Sequence, residues 1–191
     1  FEHTVRGAMD KVNLQSGGVD CLLGGDLLNQ IISANFAARE LKLPFLGLYG
    51  ACSTMAESLL IGSMLIDGGY AGRVACIATS HFSTAERQYR NPLEMGGQTT
   101  PTAQRTVTGA GCSIAANPTL EGDRLYGNVF VTAGTIGKVT DLGITDVNNM
   151  GAAMTPAAVD TIYKHFKDTG RTPKDYDIIA TGDLGLSLIH I

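Results

Sequence analysis

The chain has 191 residues, of which 44% are hydrophobic and only 17% charged, as is typical of a globular protein. Its formal net charge of −4 comes without a basic stripe, which argues against nucleic acid as the main partner. Four widely spaced cysteines with no CxxC pair argue against a zinc site or a disulfide framework and indicate a reducing compartment. The longest apolar stretch is too short to predict a transmembrane helix.

The first predicted elements are a strand, a helix and a second strand. "VDCLLGGDLL" predicts a short buried strand ending in a Gly-Gly turn, and helical spacing predicts a helix from about Leu27 to Leu41. Pro44 ends that segment, and "PFLGLYGA" predicts the next strand. Thr54 and Glu57 have the spacing of a capping box, so a buried helix is predicted to start at Ser53 or Thr54.

The rest of the chain continues the alternation of strands and helices. "GRVACIATS" predicts a strand buried on both faces, and "TVTGAGCSIAA" and "RLYGNVFVTAG" are rich in β-forming residues. A helix is predicted from Thr155 to about Phe166, followed by a buried strand in "DYDIIATGD". Residues 81–105 and 134–154 lack periodicity. The alternation predicts an α/β layered fold.

Two segments of the sequence are similar to each other. "DCLLGGDL" at 20–27 and "DIIATGDL" at 177–184 share an aspartate, an apolar strand pattern and Gly-Asp-Leu. We interpret them as copies of a duplicated α/β unit, with chance similarity between two buried strands as the alternative. Asp26 and Asp183 stand at matching points of the two copies, where a helix-capping role is favoured over calcium binding.

Several motifs resemble the thiolase and ketoacyl synthase superfamily. "YGACST" resembles its nucleophile elbow, and "TVTGAGCSIAA" resembles the Gly-Asp-Gly-Ala-Gly strand of the ketoacyl synthase III branch, with Thr108 in place of the Asp. "HFSTAERQYRNPLEMGGQ", "GKVTDLGITD" and "TIYKHFKDTGRTPKDYDIIATGDL" resemble the stage V sporulation AD branch of endospore-forming bacteria. The resemblance implies a thiolase-like layered α/β/α fold, here the first half of a duplicated fold plus the first strand of the second half.

The resemblance also implies a division of the chain. Residues 1–154 correspond to the N-terminal half, and residues 155–185 to the beginning of the C-terminal half. The chain begins without Met inside a predicted helix, so we expect a fragment truncated at both ends. The last six residues, "LSLIHI" at 186–191, resemble a translated sequencing adaptor and are predicted to be non-native, so His190 carries no functional weight.

Cys52 is the residue on which an enzymatic interpretation depends. A thiol at a helix N-terminus has a depressed pKa and can act as an acyl-accepting nucleophile, but condensation also needs a base and an oxyanion hole. Where the resemblance would place the catalytic histidine, the chain has Gly182 and Asp183. A pocket-lining role is therefore favoured over catalysis and over a packed core thiol. The other three cysteines, Cys21, Cys76 and Cys112, are predicted to be core residues.

The resemblance implies binding of dipicolinic acid, a flat pyridine dicarboxylate, alone or as its calcium chelate, with no other cofactor. Glycine-lined backbone donors and arginines suit such a ligand. The candidate ligand-binding residues are Cys52, Ser53, Thr54, His81, Thr84, Arg87 and Arg90, with weaker candidates in Glu86, Gln88 and Arg105. A structural role remains open for His81 and for each arginine.

The implied role is non-catalytic uptake of dipicolinic acid into spores during sporulation and its release at germination. The resemblance further implies association with other stage V sporulation A proteins, as an intracellular protein of the forespore held at the spore inner membrane without a membrane span. Two alternatives stay open. One is a condensing or thiolytic acyltransferase that uses Cys52, and the other is a structural assembly subunit, in keeping with a possible homodimer.

Overall fold

A computed structural model of the chain describes residues 1–15, 17–89, 106–120, 129–146 and 149–182. The described residues up to 131 form one compact unit, and those from 132 onward form a second. The first unit consists of α1 (Glu2–Lys11), β1 (Cys21–Asp26), α2 (Ile32–Leu41), β2 (Phe45–Gly47), α3 (Thr54–Asp67), β3 (Arg73–Ser80), α4 (Phe82–Tyr89) and β4 (Gly109–Ala116). The second contains α5 (Met150–Thr169) and a short 3-10 turn, Pro173–Asp175.

The first unit is built on a four-stranded sheet with the strand order β2-β1-β3-β4. β1 runs parallel to both β2 and β3, and β4 is antiparallel to β3. From β1 the chain passes to β2 on one side, and it then returns to β3 on the other side of β1. The carboxyl ends of β1 and β3 therefore meet at one edge of the sheet, and open α/β sheets bind their ligands in a crevice at such an edge. The α/β class predicted from the sequence is confirmed.

Both faces of this sheet are covered, which explains the continuous apolar runs in its strands. Successive residues of β1 point to opposite faces, so that Leu22 packs with the α1 and α2 side while Leu23 packs with the α3 side. On the α3 side, Gly62 lets the helix approach Cys76 closely, because a Cβ at Gly62 would lie 3.0 Å from the Cys76 sulfur.

The bounds of α2 and α4 differ from the prediction. α2 begins at Ile32 rather than Leu27, because Gln30 and Ile31 have left-handed backbone angles (φ 65° and 45°) that are incompatible with a continuous helix. α4 lies where the sequence lacked a recognisable helical pattern. Its N-terminal cap comes from outside the segment, since the Phe82 amide donates to the Thr108 hydroxyl at 3.0 Å.

The helix after the GACST motif begins at Thr54, as predicted, but without the predicted capping box. Instead the Thr54 hydroxyl accepts a hydrogen bond from the Gly50 amide at 3.2 Å. A 3-10 turn, Ala51–Ser53, precedes the helix, and Ala51 has a left-handed φ of 49°. The loop therefore turns sharply at Ala51, immediately before Cys52.

In the second unit α5 begins at Met150, not at Thr155 as predicted. The Asn149 side chain caps it by accepting from the Ala152 amide at 3.2 Å, which leaves Pro156 inside the helix. The strand predicted in "DYDIIATGD" is not formed in residues 177–182, where Ile178 is 81% exposed. A strand requires a ladder partner, and no described residue pairs with this segment.

No described helix of the chain combines the length and hydropathy that a membrane span needs.

Candidate functional site

Asp26 is the centre of a side-chain cluster at the carboxyl ends of β1 and β3. Its side chain is fully buried. Its Oδ1 accepts from the Leu28 amide at 2.9 Å, and its Oδ2 accepts from the hydroxyls of Ser33 at 2.9 Å and Thr79 at 2.5 Å. The Nδ1 of His81 lies 2.9 Å from the same oxygen. A buried carboxylate is stable only when donors satisfy it, and four converge here.

His81 is held by this carboxylate at one edge of its ring and is open at the other. Because an ionised carboxylate only accepts, Nδ1 carries the hydrogen and points at Asp26. The Nε2 on the opposite edge is then the nitrogen left to meet a ligand, and the side chain is 45% exposed. The parallel pairing of β1 and β3, which sets Asp26 opposite Thr79, brings these residues together.

Cys52 lies exposed in the turn that precedes α3. No hydrogen bond joins its sulfur to any residue that the structure describes. The two residues after Cys52 interact within the protein. The Ser53 hydroxyl donates to the Gly50 carbonyl at 2.8 Å, and Thr54 is only 1% exposed. Among the residues that the structure describes, the thiol at the elbow position therefore has no hydrogen-bonded base.

Two tyrosines form a wall of the same crevice. The Gln88 amide donates to the Tyr49 hydroxyl at 3.0 Å, and the Tyr89 hydroxyl donates to the Leu27 carbonyl at 2.9 Å. Tyr89 therefore accepts from Tyr49, whose oxygen lies 2.5 Å away. The chain of bonds ties α4 to the loop after β2 and to the residue that follows Asp26.

The pKa of Tyr89 is raised above its ordinary value. Burial raises it most, and the nearby Asp26 carboxylate raises it further. Tyr89 therefore lies within electrostatic reach of both the elbow cysteine and the buried carboxylate. These groups all lie around the carboxyl ends of β1 and β3.

The remaining predicted site residues lie on α4. Thr84 is exposed, and its hydroxyl donates to the His81 carbonyl at 3.1 Å. Glu86 is buried and accepts from the Thr106 amide at 3.0 Å, which ties α4 to the chain that leads into β4. Arg87 is exposed on the same helix. Arg90 and Arg105 lie outside the described residues.

Sequence reasoning missed Asp26, Tyr49 and Tyr89 as parts of the site. Asp26 was expected to cap a helix, but α2 starts six residues later and the carboxylate is enclosed by donors from α2 and β3. The available signal was an acidic residue ending an apolar strand, because such a group needs partners when it is buried. The two tyrosines gave no signal, since they lie 40 residues apart.

Among the described residues, no group of three or more acidic, histidine or cysteine side chains could hold a metal ion.

The second unit offers a different kind of cavity. Two hollows of about 350 and 330 Å³ flank α5. Their shared lining is apolar, with Ile162, Phe166 and Ile179 in both, and no lysine or arginine is among the described residues that line them. His165 borders one of them, where it hydrogen-bonds to Thr135 at 2.8 Å and Tyr176 at 2.7 Å. A doubly charged anion does not suit this lining.

Comparison with known proteins decides the family. The model of the family described as stage V sporulation protein AD (SpoVAD) matches residues 1–190. The chain belongs to the SpoVAD family. It is 51% identical over 184 residues to the stage V sporulation protein AD of Bacillus subtilis (strain 168), a match covering 96% of this chain. That match spans 52% of the relative, so the chain corresponds to about half of its length.

Solved structures show the fold of this SpoVAD family member. The tetronic acid condensing enzyme AbyA1 is similar with a TM-score of 0.65 at 14% identity, over 99% of this chain and 64% of that one. The 3-oxoacyl-(acyl carrier protein) synthase III FabH of Pseudomonas aeruginosa PAO1 is similar with a TM-score of 0.58 at 17% identity, over 98% and 61%. The thiolase-like fold predicted from the sequence is confirmed, and SpoVAD membership indicates a role in sporulation.

Proposed function

We propose that this chain binds dipicolinic acid, alone or as its calcium chelate, without catalysing a reaction. The binding would serve uptake into spores during sporulation and release at germination. The observation that carries the proposal is that the exposed Cys52 thiol has no hydrogen-bonded base among the described residues, while the nearby His81 is hydrogen-bonded to the buried Asp26.

The chemistry of the crevice suits a flat dicarboxylate. Tyr49 and Tyr89 offer aromatic surface to a pyridine ring, and the exposed edge of His81 offers Nε2 to a carboxylate. The N-terminus of α3 beside Cys52 contributes amide donors and a partial positive charge. Arg87, exposed on α4, is the candidate cation, and bidentate contact with a carboxylate is the geometry that guanidinium favours.

Isothermal titration calorimetry of the chain with dipicolinate, with and without calcium, tests the proposal. Picolinate, which lacks one carboxylate, and isophthalate, which keeps both but lacks the ring nitrogen, are the matched ligands. We expect dipicolinate to bind more tightly than picolinate, because the second carboxylate adds charge-assisted hydrogen bonds. Equal affinities for dipicolinate and picolinate, or no heat from dipicolinate, would contradict the proposal.

The variant His81→Asn sharpens the calorimetric test. Its amide can still donate to Asp26 in place of Nδ1, but it has no group at the position of Nε2. Loss of one charge-assisted hydrogen bond costs about 1.5–3 kcal/mol, so affinity is expected to fall by about tenfold or more. An unchanged affinity would remove His81 from the binding site.

An acyltransferase that uses Cys52 is the second candidate function, favoured by the exposed thiol at the start of α3. Incubation with an acyl-CoA followed by mass spectrometry distinguishes the two. We expect no acyl adduct on Cys52 at neutral pH. An adduct that forms and then turns over would replace the binding proposal.

The proposal includes the wider setting of the SpoVAD family. We propose that the protein acts in the forespore at the spore inner membrane, held there by other stage V sporulation A proteins, and that it can form a homodimer. Co-purification from sporulating cells tests the first association, and sedimentation of the chain alone tests the second. Recovery without any other stage V sporulation A protein would contradict the first.

A further inference from the structure

We propose that Asp26 is the positioning residue of this crevice: its buried carboxylate holds His81 by Nδ1, so that Nε2 is the atom that meets the ligand. The inference rests on the proposed function for the identity of the ligand. The arrangement of the imidazole itself does not depend on that identity.

The contacts of Asp26 exceed what a helix cap requires. A cap accepts from one or two backbone amides of its own helix, whereas Asp26 accepts from one amide, two hydroxyls and one imidazole. The side-chain donors come from α2, from β3 and from the residue that follows β3. A fully buried charge is expensive, and three side chains from separate elements here share its satisfaction.

The consequence for His81 is a single ring orientation and a single tautomer. The nitrogen that carries the hydrogen in a neutral imidazole is set by the hydrogen bond of the other ring edge. With Nδ1–H directed at Asp26, a proton gained from solvent goes to Nε2, which then donates to a ligand carboxylate. The buried carboxylate, the imidazolium and the ligand anion would alternate in charge along one line of hydrogen bonds.

β1 itself supplies a matched control. Asp20 precedes this strand as Asp26 ends it, and it also accepts two hydrogen bonds, from the amides of Gly72 and Arg73 at 2.7 and 2.9 Å. Both Asp→Asn changes remove one carboxylate charge beside the same strand. Asp20 lies at the opposite end from the crevice and touches no residue of the site.

The test combines nitrogen-15 NMR of the imidazoles with dipicolinate titration. His81 signals are assigned by their loss in His81→Asn. In the unmodified chain we expect the neutral imidazole of His81 to carry its hydrogen on Nδ1. In Asp26→Asn we expect a shift toward the Nε2–H form and an affinity loss of about tenfold or more, while Asp20→Asn keeps both properties.

The possible outcomes separate this inference from the proposed function. A neutral His81 with its hydrogen on Nε2 in the unmodified chain overturns the inference, and this measurement needs no Asp26 variant to fold. An Asp26→Asn chain that keeps both tautomer and affinity overturns it as well. If the unmodified chain shows the Nδ1–H form but binds no dipicolinate, the proposed function fails while the positioning of His81 is upheld.

Discussion

Gly25, the residue before Asp26, should not tolerate even a methyl group. A Cβ at this position would lie 1.9 Å from the Leu48 carbonyl oxygen, about 1.5 Å short of an ordinary contact, and 3.2 Å from the Ile31 side chain. The obstacle is backbone, and the loop that carries it is anchored to β1, since the Leu48 amide donates to the Gly24 carbonyl at 2.9 Å. Overpacking a well-packed interior costs about 1–3 kcal/mol. We expect Gly25→Ala to lower the free energy of unfolding by about 3 kcal/mol, at the upper end of this range.

Gly7→Ala is the control that gives the opposite sign. Gly7 lies inside α1, and a Cβ there would meet nothing within 4 Å. Alanine in a helix interior is favoured over glycine by about 0.5–1 kcal/mol, so Gly7→Ala should stabilise the chain. Urea denaturation followed by far-UV circular dichroism measures both free energies of unfolding. A Gly25→Ala chain that is as stable as the unmodified one would refute the packing argument, and with it the close approach of β1 to the loop that leads to Cys52.

Three further predictions concern the thiols and the tyrosine wall. At pH 8, iodoacetamide should label the exposed Cys52 well before the buried Cys76, whose pKa burial raises to about 11. Peptide mapping that finds Cys76 labelled as fast would contradict the burial. Tyr89→Phe should lower the free energy of unfolding by about 1 kcal/mol, because it removes the hydrogen bonds to Tyr49 and Leu27. The control Tyr70→Phe should change the free energy of unfolding little, because the Tyr70 side chain is 84% exposed. Because the pKa of Tyr89 is raised in the folded state, the neutral phenol stabilises the fold fully below the unfolded pKa of about 10, and this contribution is lost as the pH rises above that value. The unmodified chain should therefore lose more stability above pH 10 than Tyr89→Phe. Parallel alkaline denaturation profiles of the two chains would refute this prediction.

The sequence predicted those parts of the fold that depend on local patterns. Apolar runs placed β1 and β3, and the GACST motif placed the start of α3 at Thr54, which the structure confirms. Local sequence patterns failed to predict features that depend on residues far away in the chain. The cap of α4 is Thr108, 26 residues beyond Phe82, and no window around α4 contains that information.

The candidate site, like the fold, was predictable where it depends on a contiguous motif and not where it depends on strand pairing. Cys52 could be placed at a turn before a helix because the motif is contiguous. The pairing of Asp26 with His81 depends on strand order and register, since β1 and β3 become neighbours only when β2 lies on the other side of β1. Sequence periodicity shows which residues are buried in a strand but not which strand lies beside it.

The capping of α4 from β4 has a consequence for the order of folding. A helix of eight residues is too short to be stable alone, and this one receives its first amide acceptor from the residue that precedes β4. α4 should therefore become ordered only after β4 has paired with β3. Gln88 and Tyr89 complete the crevice wall from α4, so the ligand site is expected to mature in the last step of sheet assembly. A nascent chain that has emerged only as far as His81 would have the buried carboxylate and its histidine but no finished crevice.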